Sequence, residues 1–296
     1  MAPLLNFRML VRLARPVQLI LAGIAYSLGV GIAHYLGHPF QAAVFVLGLL
    51  AVLAIEAAAF WLVEYFRLPF TPLEKDETPR MREAFRAVLF QSAIALLTVS
   101  GAICLTLLLA RLLPLEAGIL LGIIEFFFIA YAVPPIRFSE TGYGELLVAT
   151  ALGTFFPALA FLLQFGGLHR LLSFVTFPLT LLALAFFLVN GFSSFATDIK
   201  FGRRTFLTRL TWQRAIPIHH ILVLAAFLFF AAAPLFGFPW GLVWPVFLAF
   251  PFALLQIIWL QRIASGGRTL WRLLNTVAIA TLGLTAYLLA MTFWLR

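Results

Sequence analysis

The chain is poor in charged residues, in aspartate and in cysteine. Only 10% of its 296 residues are charged and 64% are hydrophobic, whereas about 25% of residues are charged in a soluble domain. This composition excludes an ordinary soluble protein and predicts a protein that crosses the membrane several times. The lone cysteine, Cys104, lies in an apolar run and excludes an intrachain disulfide bond.

Nine apolar runs are long enough to cross a bilayer, which takes about 20 residues of α-helix. They cover residues 17–36, 40–63, 84–110, 114–133, 143–166, 172–192, 215–234, 239–260 and 270–294. We therefore predict an all-α membrane protein with nine transmembrane helices around a central cavity, forming a single domain over residues 1–296. Pro245 and Pro251 predict a kink in the eighth run.

The basic residues predict the orientation of these helices. With the N-terminus in the cytoplasm, all lysines and arginines except Arg111, Arg170 and Arg296 fall on the cytoplasmic side. We predict an integral protein of a bacterial cytoplasmic membrane, without a nucleic-acid partner. Residues 1–14 form an interfacial segment in this prediction. The predicted cytoplasmic loops cover about 64–83, 134–142, 193–214 and 261–269.

The segment 188–209 begins as a hydrophobic helix and ends as a basic loop. Asp198, one of two aspartates in the chain, lies between these parts, and Lys200, Arg203, Arg204 and Arg209 follow it. A carboxylate at a membrane boundary, followed by several cations, indicates a phosphate-bearing ligand.

Two glutamates lie inside apolar runs, Glu56 in the second and Glu125 in the fourth. An ionisable side chain at this depth is costly unless it faces the interior of the bundle. Each is either a protonated group bonded to a neighbouring helix or a functional group, and the sequence leaves both alternatives open. A proton path in a transporter is a weaker alternative, because paired discontinuous helices in matching halves are not evident.

Two short motifs lie at the ends of predicted helices. The first is Tyr131-Ala-Val-Pro-Pro-Ile-Arg137 with Gly142-Tyr-Gly-Glu-Leu after it, and the second is Asn190-Gly with Gly202-Arg-Arg-Thr after it. In this order they resemble motifs of the UbiA superfamily of intramembrane prenyltransferases, closest to the menaquinone (1,4-dihydroxy-2-naphthoate) branch. The resemblance covers essentially the whole chain.

The resemblance implies two aspartate-rich motifs that hold Mg²⁺ against the diphosphate of a polyprenyl donor. They correspond to Val63-Glu64-Tyr-Phe-Arg67 and Ser194-Phe-Ala-Thr-Asp198. Both motifs are degenerate here, because only Glu64 and Asp198 keep a carboxylate. Arg67 inverts the charge of one position, and Ser194 replaces a carboxylate by a hydroxyl.

The resemblance also implies a role for each site residue. Glu64 and Asp198 would coordinate Mg²⁺, and Tyr131 and Asn190 would complete the catalytic cavity. The residues expected to bind the diphosphate are Arg67, Lys75, Lys200, Arg203 and Arg204.

The implied function is transfer of a polyprenyl group from its diphosphate to an aromatic or quinone-precursor acceptor at the cytoplasmic membrane face. The alternative is a catalytically degenerate UbiA-fold homologue. Such a homologue would bind an isoprenoid lipid, a quinone or a pigment, or would serve as a subunit of a membrane complex.

Overall fold

The computed structural model describes the backbone of residues 7–67 and 79–296. Within these residues the chain is all-helical and has no β-strand. Nine helical segments in this part of the chain are long and apolar enough to cross a membrane. The predicted all-α fold and the predicted number of spans are therefore confirmed.

The described part of the chain contains thirteen α-helices. Their bounds are α1 (Phe7–Leu13), α2 (Pro16–Tyr35), α3 (Ala42–Tyr65), α4 (Pro79–Leu109), α5 (Leu115–Ala132), α6 (Gly144–Thr150), α7 (Phe156–Phe165), α8 (Arg170–Phe192), α9 (Phe195–Lys200), α10 (Phe206–Ala231), α11 (Trp240–Val243), α12 (Phe250–Ala264) and α13 (Trp271–Trp294). A π-helical segment, Ala151–Phe155, joins α6 to α7 in one span.

The eighth span is broken, as its two prolines predict. A 3₁₀-helical segment, Trp244–Ala249, separates α11 from α12 and contains Pro245, and Pro251 lies in the first turn of α12. Proline has no backbone N–H to donate, so a continuous helix through either residue would lack one hydrogen bond. Both prolines instead lie in the first turn of a new segment, where that N–H has no helical acceptor.

Small residues allow the spans to pack closely. A Cβ atom on Gly29 of α2 would lie 2.0 Å from the carbonyl oxygen of Pro157 in α7. In the π-helical segment, Thr154 Oγ1 lies 2.7 Å from Thr180 Oγ1 of α8. Close backbone approach of this kind drives helix association in membranes. This packing holds α2, α7 and α8 against one another. The N-terminal end of α2 and the C-terminal end of α8 lie at the polar end of the bundle.

The segment predicted as a cytoplasmic loop over 193–214 contains helical structure. It holds α9 and the first turns of α10, which begins at Phe206 and not near residue 215. Thr205 and Thr208 form a reciprocal capping box, in which each side chain accepts a hydrogen bond from the backbone N–H of the other. A capping box can start a helix in a polar segment, because it satisfies backbone N–H groups of the first turn. Thr211, with φ 65°, then interrupts α10.

Candidate functional site

A cavity of about 200 Å³ lies where the ends of several helices converge. The chain before α2, the C-terminal ends of α3, α5 and α8, the N-terminal end of α6 and the α9 region all contribute to its wall. Its charged lining consists of four arginines and four carboxylates. These are Arg15, Arg67, Arg137 and Arg203, and Glu64, Glu140, Glu145 and Asp198.

The C-terminal end of α3 supplies the first pair of charges. Glu64 is buried in the last turn of the helix, and Arg67 follows three residues later, just beyond the helix end. Residues three apart on a helix are neighbours, and the two side chains form an ion pair. The first motif therefore presents a carboxylate that is already paired with a guanidinium.

The α8–α9 junction supplies the second carboxylate. Asp198 is only 3% exposed. Its Oδ2 atom accepts a 2.7 Å hydrogen bond from the hydroxyl of Ser194, one helical turn earlier. Gly202, with φ 66°, turns the chain back. This turn brings the Arg203 guanidinium to 3.8 Å from the Asp198 carboxylate.

The link between α5 and α6 adds a third pair. Pro134 and Pro135, which are joined by a cis peptide bond, lead the chain out of α5. Arg137 then adopts a left-handed backbone conformation with φ 44°. Its guanidinium lies 2.8 Å from the Glu140 carboxylate. Burial lowers the pKa of the Arg137 guanidinium, and the neighbouring Glu140 opposes this shift.

Arg15 is the fourth cation, and it lies beside an aromatic pair. Its Nη1 atom donates a 3.5 Å hydrogen bond to the hydroxyl of Tyr131. Its guanidinium lies 4.6 Å from the centre of the Phe60 ring, within the range of a cation–π contact. Like Arg137, Arg15 has a left-handed backbone, with φ 54°. Strained conformations of this kind cluster at functional sites.

The structure brings together six of the residues to which the resemblance implies a role or a position in an aspartate-rich motif. These six residues are Glu64, Arg67, Tyr131, Ser194, Asp198 and Arg203. Other residues of the quoted motifs also line the cavity, namely Val63, Arg137, Gly144, Glu145 and Thr205. Thus Glu64 and Asp198, which lie far apart in the chain, share one cavity with two of the expected diphosphate-binding arginines.

Other predicted residues do not line this cavity. Arg204 is exposed and lines a surface depression that also includes Arg203, Thr208 and Arg209. Lys200 is exposed on α9, and Asn190 is half-buried, with its carbonyl accepting a hydrogen bond from the Ser193 hydroxyl. Lys75 lies outside the residues that the structure describes.

The two glutamates within the spans lie away from the cavity wall. Glu56 is 1% exposed, and neither of its carboxyl oxygens has a hydrogen-bond partner among the described residues. Glu125 is half-buried on α5. Neither residue lines the cavity.

Sequence reasoning missed several residues of the lining. Arg15, Ser139 and Glu140 all contribute to the cavity, but no motif singles them out. The one local signal for Arg15 is that it precedes Pro16 at the start of the first span, which predicts a helix start and says nothing of a cavity.

Two comparisons with known proteins find nothing: no protein-family model and no curated protein matches the chain. Solved structures do match. A UbiA homologue from Archaeoglobus fulgidus bound to GPP and Mg²⁺ superposes with a TM-score of 0.62 at 18% identity, over 97% of this chain and 99% of that one. The same homologue bound to DMAPP and Mg²⁺ gives a TM-score of 0.61 at 17% identity, over 95% and 98%. A form bound to Cd²⁺ gives 0.55 at 16% identity, again over 95% and 98%.

At this level of identity the comparison establishes the fold and not the activity. The chain is an integral membrane protein with nine apolar spans in its described part, and its fold is that of the UbiA homologue structures.

Proposed function

We propose that the chain is a UbiA-like prenyltransferase. It takes an isoprenoid diphosphate from the membrane and transfers the prenyl group to an aromatic or quinone-precursor acceptor. One observation carries this proposal: Glu64 and Asp198, from two motifs far apart in the chain, share one cavity with four arginines. The full-length similarity of the fold to a homologue bound to GPP supports the choice of ligand.

The size and the lining of the cavity suit the head group of such a lipid. A volume of about 200 Å³ equals that of about seven waters at about 30 Å³ each, which is room for a diphosphate. Val148 and Phe187 line the apolar part of the cavity. The isoprenoid tail would run past these side chains into the bundle, while the diphosphate lies among the arginines.

The chemistry requires a charged leaving group to be stabilised. The allylic C–O bond breaks and its electron pair leaves with the diphosphate, whose charge Arg67, Arg137 and Arg203 would stabilise. Tyr131 would face the allylic cation, which is stabilised by an aromatic ring. A ring carbon of the acceptor then forms the new C–C bond, and the acceptor loses a proton.

The side chains present do not fit a preformed Mg²⁺ cluster. Among the described residues, no group of three or more His, Cys, Asp or Glu side chains is placed to hold a metal ion. Glu64 and Asp198 are the two carboxylates expected to hold one, and each already faces a guanidinium. Mg²⁺ demands near-octahedral oxygen coordination, so no step of the proposed reaction is assigned to a metal.

The menaquinone-branch motifs suggest an acceptor of the 1,4-dihydroxy-2-naphthoate type. The distribution of basic residues places the N-terminus and the cavity on the cytoplasmic side in this proposal. Arg15, just before α2, and the C-terminal ends of α3, α5 and α8 line the cavity. Its four arginines all belong to the segments that the basic-residue pattern predicts to be cytoplasmic, which supports this part of the proposal.

The test is an assay of the purified protein in detergent. It uses GPP with a panel of aromatic acceptors that includes 1,4-dihydroxy-2-naphthoate, with and without Mg²⁺, and detects prenylated product by mass spectrometry. We expect product with at least one acceptor. We also expect a loss of about tenfold or more in rate for Glu64→Gln and Asp198→Asn, because each variant removes the charge that positions a cavity arginine. Glu116→Gln, an exposed carboxylate in the first turn of α5, is the matched control and should keep the wild-type rate. Absence of turnover with every acceptor would exclude the transferase.

A second candidate is a homologue that binds an isoprenoid lipid, quinone or pigment, alone or within a membrane complex, without transferring anything. Both motif carboxylates already face arginines, so neither is free to take the proton that the acceptor would lose, and this favours binding without transfer. Native mass spectrometry distinguishes the two candidates. A stoichiometric co-purifying lipid together with absence of turnover would support the second.

A further inference from the structure

The charges of the cavity are balanced by the protein itself. Its lining holds as many arginines as carboxylates. Glu64 pairs with Arg67, Glu140 with Arg137, and Asp198 faces Arg203. A divalent cation would have to displace guanidinium groups to reach these carboxylates, and it would be repelled by the same groups.

The lining also has unused hydrogen-bond donors. The Nε atoms of Arg67 and Arg137 are buried and have no acceptor among the described residues, although each side chain forms an ion pair through another nitrogen. The hydroxyl of Ser139 is buried in the same wall and also lacks a partner there. Buried donors are normally satisfied, so these three point to a ligand that supplies several acceptor oxygens.

Arg15 adds a cation that no described carboxylate neutralises directly. Within the part of the chain that the structure describes, no Asp or Glu oxygen lies within 4 Å of its guanidinium. The hydroxyl of Tyr131 and the ring of Phe60 hold the side chain in place instead. A guanidinium carries five N–H donors, so Arg15 keeps donors for a ligand after bonding Tyr131.

We infer that this cavity binds the phosphate oxygens of an isoprenoid diphosphate directly through guanidinium groups, without a divalent metal. Arg67 stands where the resemblance implies a metal-binding carboxylate, and Arg15, Arg137 and Arg203 complete the set. A guanidinium binds phosphate oxygens in a bidentate manner and keeps its charge at any physiological pH. This inference rests on the proposed function, and it states how the protein would recognise the isoprenoid diphosphate that serves as the prenyl donor.

The experiment measures binding of radiolabelled GPP to the purified full-length protein in detergent, in excess EDTA and in Mg²⁺. We expect the two dissociation constants to agree within about threefold. Binding that requires Mg²⁺ would overturn the inference while leaving the proposed function in place. Absence of binding in both conditions would overturn the proposed function as well, so the two failures are distinguishable.

Variants make the test specific to the site. Arg67→Gln should weaken GPP binding about tenfold in both conditions, whereas Arg268→Gln, an exposed arginine outside the cavity, should change it less than about twofold. The double variant Arg67→Asp with Ser194→Asp restores two carboxylates, and its GPP binding should become dependent on Mg²⁺. Metal-independent binding that survives in the double variant would contradict a role for these guanidinium groups.

Discussion

At the end of α3, Glu64 forms an ion pair with Arg67, three residues later. At the α8–α9 junction, the hydroxyl of Ser194 donates a hydrogen bond to Asp198, and the guanidinium of Arg203 lies 3.8 Å from the carboxylate. The first arrangement is a direct ion pair, and the second holds its carboxylate through a hydroxyl. Both leave one carboxylate that faces a guanidinium. The comparison indicates that the two halves of the site present the same kind of charge pair through different local structures, and that the pair at the end of α3 is the closer one.

The strongest test of this comparison reverses the charge of Arg67. Arg67→Asp would place a second carboxylate beside the buried Glu64 and remove a buried donor. We expect GPP binding in EDTA to weaken about 100-fold, or about 2.7 kcal/mol. Equilibrium dialysis with radiolabelled GPP measures the change, and Arg268→Asp provides the matched control. An unchanged dissociation constant would show that Arg67 does not contact the ligand.

The next test compares two adjacent arginines after Asp198. Arg203 lines the cavity, whereas Arg204 is exposed and does not line it. We expect Arg203→Gln to weaken GPP binding about tenfold and Arg204→Gln to weaken it about twofold, because an exposed charge is screened by solvent. An equal loss of GPP affinity in both variants would mean that this segment attracts GPP only through its net charge.

A smaller effect is expected for the hydroxyl that holds Asp198. Ser194→Ala removes the 2.7 Å hydrogen bond to the carboxylate, and bonds to charged groups contribute about 1.5 kcal/mol or more. We expect the melting temperature in detergent to fall by about 3 °C. Ser193→Ala is the control, since Ser193 is exposed and bonds only the carbonyl oxygen of Asn190 among the described residues. If Ser194→Ala and Ser193→Ala have the same melting temperature, the Ser194 hydroxyl does not stabilise the position of Asp198.

The smallest effect is expected for Glu56, the buried carboxyl outside the cavity. Its oxygens have no described hydrogen-bond partner, so Glu56→Gln removes no hydrogen bond seen in the structure. We expect the melting temperature to change by less than about 2 °C and GPP affinity by less than about twofold. A large loss of turnover at unchanged melting temperature would instead give Glu56 a part in the reaction.

The spans were predictable because the bilayer imposes one requirement on each of them, an apolar run of sufficient length. The start of α10 was not predictable in this way. It depends on a capping box between Thr205 and Thr208, which begins the helix within a basic, polar segment. The break at Thr211 then separates this polar part from the apolar span.

The site was predictable only in part. Glu64, Asp198 and Tyr131 could be singled out because the motif resemblance implies roles for them, and all three line one cavity. Arg15 could not, because it comes from a distant segment and reaches the site only through the packing of α2 against its neighbours. Arg203 and Arg204 are adjacent and equivalent in the sequence, and only the structure shows that Arg203 lines the cavity whereas Arg204 is exposed.

The most direct measurement is an experimental structure of the protein in a lipid nanodisc with GPP and EDTA. The account predicts density for the diphosphate in the cavity between Arg67 and Arg203, in contact with Arg15 or Arg137. A diphosphate held elsewhere, or a cavity that stays free of ligand at a saturating GPP concentration, would contradict it.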